Sequence, residues 1–107
     1  MLSKPFFFWQ KSTLIKLQLE EVVALSTTKN YTKVFLTKKR YWLVRVTLTS
    51  IMKKFPPDVF VKISRSKAVS VYFINNIHKD HLEIGDESIP IDRRFYKSFI
   101  SKLSIIE

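Results

Sequence analysis

Apolar residues along this chain fall in short runs, several alternating with polar ones and recurring every ~8–12 residues, which is the period of strands joined by tight turns. The pattern predicts strands at Phe6–Phe8, Leu14–Gln18, Val22–Thr27, Thr32–Leu36, Tyr41–Val46, Phe60–Ile63, Ile74–Lys79, His81–Ile84 and Ser88–Ile91. Lys29-Asn30 separates two of them, with Asn30 the residue expected to tolerate the positive φ of a tight turn. Gly85-Asp86 closes a hairpin between the last two runs. With one glycine in the chain, most other turns must use Asn, Asp, Ser, Thr or Lys. Two segments change period. Leu48, Ile51, Met52 and Phe55 fall at i, i+3, i+4 and i+7, a helical stripe that Thr47 can cap and Pro56-Pro57 must stop. A second helix is predicted from Arg93 to about Leu103, capped by Asp92, with Phe95, Phe99, Ile100 and Leu103 inward. Both stripes read as core. The fold class is therefore mostly β with minor α.

Composition adds bounds. The 107 residues make one domain, 1–107, 46% hydrophobic and 26% charged, which is globular rather than disordered. The absence of cysteine excludes disulfides, cysteine nucleophiles and thiolate metal sites, and fits a reducing cytoplasm. The start carries one lysine and a four-residue apolar run, Phe6–Trp9, too short for a signal-peptide core. No run approaches the ~18 apolar residues of a membrane span, so no membrane partner is expected. Charge changes the picture more. Nineteen basic residues against nine acidic give +10, and between Val22 and Lys79 twelve basic residues face one acid, Asp58. Such a field attracts polyanions, nucleic acid first and anionic lipid second; a merely solvated surface is the bland alternative.

Candidate chemistry is mostly absent. One glycine cannot build a dinucleotide or phosphate loop. Adjacent Glu20 and Glu21 cannot face each other as a carboxylate pair. His78 and His81 could hold zinc with Asp80 from one helical face, but the segment reads as a strand end and turn, which favours exposed histidines and no metal. No catalytic residue and no cofactor is assigned, and an enzyme is not expected. Nucleic-acid ingredients are present instead. Arginine forks onto guanine, Asn onto adenine, and lysines and hydroxyls hold phosphate. Aromatic residues interleave with basic ones at Lys29–Lys33 and Lys38–Trp42, so Tyr31, Tyr41 and Trp42 could stack on single-stranded bases. Strand core is the preferred reading for Phe35 and for one of Tyr41 and Trp42.

One stretch points further: Phe60, Val61, Lys62, Ile63, Ser64, Arg65, Ser66, Lys67, Ala68, Val69, Ser70, followed later by Ile89-Pro90-Ile91-Asp92-Arg93-Arg94. It resembles the signature of the LytTR DNA-binding domain, which runs Phe, x, Arg or Lys, Ile, His or Ser, Arg or Lys, Ser, x, x, Val, Asn. The order of elements is similar too, from about Phe6 to Leu103: an opening hairpin, a Glu-Val-Val-Ala-Leu strand, the Asn30-Tyr31-Thr32 turn, the Leu48–Phe55 helix, the signature, a glycine-turn hairpin and Ile-Pro-Ile-x-Arg. The resemblance implies an elongated fold of about ten short antiparallel strands in small sheets with one or two short helices. It implies a bacterial transcription regulator, a response-regulator output module of a two-component system, whose loops enter successive major grooves of a bending duplex at direct repeats.

Three positions carry the family's base contacts, and each transfers by motif. They are Tyr31 with Asn30 beside it, Arg65 before the signature serine, and Arg93 after Ile-Pro-Ile-x. Lys29, Lys33, Ser64, Ser66, Lys67 and Arg94 are cast as phosphate contacts. Arg93 stands in a first helical turn, where a cation opposes the helix dipole unless an anion is bound. Two departures stand out. Ser70 replaces a common Asn and Asp92 a common Ser; both can still cap, but Asp92 is expected to pair with Arg93 and weaken base reading. Only five residues precede Phe6, so the sequence reads as a domain without a receiver, either a standalone regulator or a fragment. Double-stranded DNA is the expected partner, with a homodimer on DNA and a separate sensor protein as further partners. Two alternatives stay open: a non-specific or single-strand binder, and a protein-interaction module that docks through Phe6–Trp9.

Overall fold

Ten strands and two short α-helices form over residues 4–107, the residues described by the computed structural model. Met1–Ser3, the first part of the segment read above for a leader, lie outside the described residues. The strands are β1 (Phe6–Gln10), β2 (Thr13–Leu17), β3 (Val22–Thr28), β4 (Tyr31–Leu36), β5 (Tyr41–Val44), β6 (Phe60–Ser64), β7 (Lys67–Ser70), β8 (Asn76–Ile77), β9 (His81–Ile84) and β10 (Glu87–Pro90). The helices are α1 (Leu48–Lys54) and α2 (Tyr96–Ser101). Every strand pair is antiparallel. The molecule is elongated, 47 × 34 × 26 Å. No described helix is long and apolar enough to cross a membrane.

The central sheet has the order β5-β4-β3-β7-β6, flanked by the β1-β2 hairpin and a small β10-β9-β8 sheet. Strand alternation splits its side chains between two cores. Leu25, Val34, Leu36, Val44 and Phe60 face one core with Phe8, Leu17, Leu48, Ile51 and Phe55, so the opening hairpin and α1 cover that side. Edge-on aromatic contacts bind the layers: Phe6 to Phe55 at 5.1 Å and Phe8 to Trp42 at 5.3 Å. Val61, Ile63 and Val69 face a second core with Leu82, Ile91 and Phe99, under the small sheet and α2.

Local signals act where the sequence put them. Thr47 accepts the Ser50 amide at 3.1 Å and starts α1. Asp92 accepts the Arg94 amide at 2.9 Å, and Ser70 accepts the Tyr72 amide at 3.3 Å. Gly85 takes φ +58° at its hairpin turn. Several expectations need correction. At the β3–β4 turn the positive φ belongs to Lys29 (51°) and not to Asn30; Lys11, Lys38 and Lys39 take the same conformation. The run expected through Val46 ends at Val44, because Val46 N donates to Val44 O at 2.8 Å and turns the chain around Arg45. The expected strand Ile74–Lys79 shrinks to Asn76–Ile77 behind a 3₁₀ turn at Val71–Phe73. The second helix opens as a 3₁₀ turn, Arg93–Phe95, and is α-helical only over Tyr96–Ser101. Strand β7 was not among the expected runs. Its Ala68, Val69 and Ser70 are all buried, so it carries no alternation to detect.

Candidate nucleic-acid interface

The order and direction of the strands gather distant residues at one end of the central sheet. That end holds the last residues of β3, β5 and β6 and the first of β4 and β7. The β3–β4 turn presents Lys29 and Asn30, with Tyr31 half-buried behind them. The β6–β7 turn presents Arg65 and Ser66, both exposed, with Lys67 opening β7. The two turns are joined by backbone: Thr27 N donates to Ser66 O at 2.8 Å. Within its own turn Ser64 Oγ accepts the Ser66 amide at 3.3 Å, which spends one of its lone pairs on shaping the loop. Strands lie ~4.8 Å apart, so a row from β5 to β6 spans roughly 19 Å.

A second joint brings in the loop after β10. β6 carries a bulge between Lys62 and Ser64, which leaves Ile63 out of the ladder with β7. The Ile63 carbonyl then accepts the Asp92 amide at 2.9 Å. Arg93 therefore directly follows the residue bonded to β6, the strand whose last residue, Ser64, precedes Arg65. Asp92 does not pair with Arg93. Its carboxylate takes Arg94, with Nη2 to Oδ2 at 3.0 Å and Nε to Oδ1 at 3.3 Å, because the same carboxylate caps the Arg94 amide and the side chain folds back onto it. The Arg94 side-chain bond, then its amide, hold Asp92 below the usual carboxylate range, and Asp92 raises Arg94 in turn. Among the described residues Arg65 and Arg93 have no ion pair and no side-chain hydrogen bond.

Arg45 was counted in the sequence only as charge. In the turn after β5 its guanidinium donates to the Tyr31 hydroxyl at 3.3 Å and lies 5.5 Å from the Tyr31 ring centre. The available signal was a charged residue breaking an otherwise apolar run just before the α1 cap. Lys33 lies on the sheet face that β4 and β5 leave open, and its ammonium sits 4.2 Å from the Tyr41 ring centre and 5.1 Å from that of Phe35. Tyr41 is exposed, but Trp42 points to the opposite face, edge-on to Phe8. Successive strand residues face opposite ways, so Tyr41 and Trp42 cannot share one base-stacking surface. The basic field is also divided. Lys38, Lys39 and Arg40 occupy the β4–β5 turn at the other end of the sheet, where Arg40 binds Glu21 at 2.5 Å.

The end of the sheet thus offers free guanidinium groups, lysines and a tyrosine on turns fixed by backbone bonds, a surface suited to forked hydrogen bonding and to phosphate. No curated protein sequence matches the chain. A solved structure similar to it over 94% of this chain and 95% of the other, with a TM-score of 0.75 and 21% identity, is the LytTr DNA-binding domain assigned to a methyl-accepting/DNA response regulator from Bacillus cereus. The family profile of the LytTr DNA-binding domain matches residues 12–104, and the chain belongs to that DNA-binding family.

Proposed function

We propose that the chain binds double-stranded DNA with sequence preference, as a transcription-regulating output module like the response-regulator domain it resembles in fold. One observation carries this: Arg65 and Arg93, far apart in sequence, lie at one end of the central sheet with no described partner for either guanidinium. Arg65 and Arg93 each fork onto a guanine edge in the major groove, and Asn30 and Tyr31 contact bases beside them. Lys29, Lys67, Ser64, Ser66 and Lys33 hold phosphates, with Arg94, already oriented by Asp92, at the rim. Arg45 joins the phosphate contacts and stiffens Tyr31. Loops in successive grooves, direct-repeat sites, assembly as a homodimer on DNA, a separate sensor and a bacterial cytoplasmic setting belong to the same reading.

Fluorescence anisotropy tests it, with a duplex selected from a random pool, a scrambled duplex and a single strand at ~0.15 M salt. The selected duplex should bind ~10³-fold or more tighter than scrambled DNA. Arg65→Ala should remove ~1–3 kcal/mol of that discrimination. A variant that binds both duplexes as the wild type does would refute the base-reading role. Equal binding to all three probes would refute sequence preference.

A further inference from the structure

The only two histidines of the chain stack on each other, ring centres 4.3 Å apart and planes 13° from parallel. The turn between β8 and β9 arranges this, as His78 N donates to His81 O at 2.7 Å across Lys79-Asp80. Glu83 stands two residues beyond His81 on the same strand and so returns to the same face. Its Oε1 lies 3.7 Å from His78 Nε2. One ligand-capable atom from each of His78, His81 and Glu83 lies within 4.8 Å of the others.

We infer that His78, His81 and Glu83 form a binding site for a divalent transition-metal ion of the zinc class. Two imidazoles and a carboxylate are a donor set that zinc accepts, with a fourth position left to water. Bonds of ~2.1 Å in a tetrahedral array put ligand atoms roughly 3.4 Å apart, so modest rotations of these partly exposed side chains close the site. Two neighbours already orient the ligands. Asp80 Oδ1 lies 2.6 Å from His81 Nδ1, which directs that proton to the carboxylate and leaves Nε2 for a metal. Asn76 Nδ2 donates to Glu83 Oε1 at 2.9 Å, the oxygen nearest His78, and so orients the carboxylate. Strand pairing, not helical spacing, brings the set together, with Glu83 as third ligand and Asp80 behind His81. The site adjoins the proposed DNA surface: Asp80 O accepts the Ile91 amide at 2.9 Å, and the next residue, Asp92, is bonded to Ile63. A bound ion fixes the turn on which the Arg93 loop rests.

The test is a titration of the tag-free chain with Co²⁺, read by visible absorption, followed by displacement with Zn²⁺. One equivalent of Co²⁺ should develop d–d bands that Zn²⁺ bleaches. His78→Ala and His81→Ala should each weaken binding by ~100-fold or more, and Asp80→Asn by ~10–100-fold. Absence of the bands in the wild type, or equal binding by the double histidine variant, overturns the site. Wild-type amide NMR guards against a misfolded variant. Zn²⁺ shifts confined to His78–Glu83 and their strand neighbours support the site, and shifts centred elsewhere overturn it.

Discussion

Asp92 shows how one substitution in a motif redirects charge. It was expected to mask Arg93 and instead ties down Arg94, leaving Arg93 without an ion pair among the described residues. Its carboxyl is held below the ordinary 3.8 by Arg94. A depressed folded value stabilises the folded state above the unfolded value, and that contribution disappears as pH falls through the folded one. Asp92→Asn should therefore melt lower than the wild type above about pH 4, and the gap should close on acidification below it. A gap that persists at pH 2 would mean that the pair does not act through ionisation. Lys29 makes a second residue-scale case. An L-residue in the left-handed region costs about 1–2 kcal/mol, and glycine does not bear that strain. Lys29→Gly should keep or raise the melting temperature while it weakens duplex binding, a separation of fold from function that calorimetry and anisotropy can read side by side.

At the scale of elements, the legible parts were those with a period or a cap. The α1 stripe, its Thr47 cap and its proline stop were all readable, and Thr47→Ala should cost about 1 kcal/mol in urea unfolding. β4 was readable because Thr32, Val34 and Leu36 alternate with more exposed neighbours. β7 was not, because a strand buried on both faces shows no alternation and Ala and Ser have little strand preference. Nor was the bulge at Ile63, since an extra residue in one strand is defined by its partner. That bulge is what gives the Arg93 loop its anchor.

For the whole molecule, the candidate contacts were legible only by motif, and their meeting was not legible at all. Residues 30, 65 and 93 converge through strand order and two long-range backbone bonds, neither of which leaves a local trace. Charge counting likewise could not tell that the basic field has two ends. If Lys29, Lys33, Arg45, Lys67 and Arg94 each neutralise a phosphate, log K against log salt should fall with a slope of about −4.5. Lys29→Ala with Lys67→Ala should reduce the magnitude by about 1.8, whereas Lys38→Ala with Lys39→Ala should leave it unchanged. Equal effects of the two pairs would place the DNA on neither end in particular.

The four left-handed lysines carry one more consequence. Each is exposed at a hairpin tip, and the tips of the central sheet point in opposite directions: Lys29 at one end, Lys38 and Lys39 at the other. The fold has in effect placed reactive amines at both poles of the sheet. Acetylating the protein with and without duplex, then weighing its peptides, turns them into paired reporters. Shielding of Lys29 with continued labelling of Lys38 and Lys39 would show which pole meets the nucleic acid, with the far pole as its internal reference.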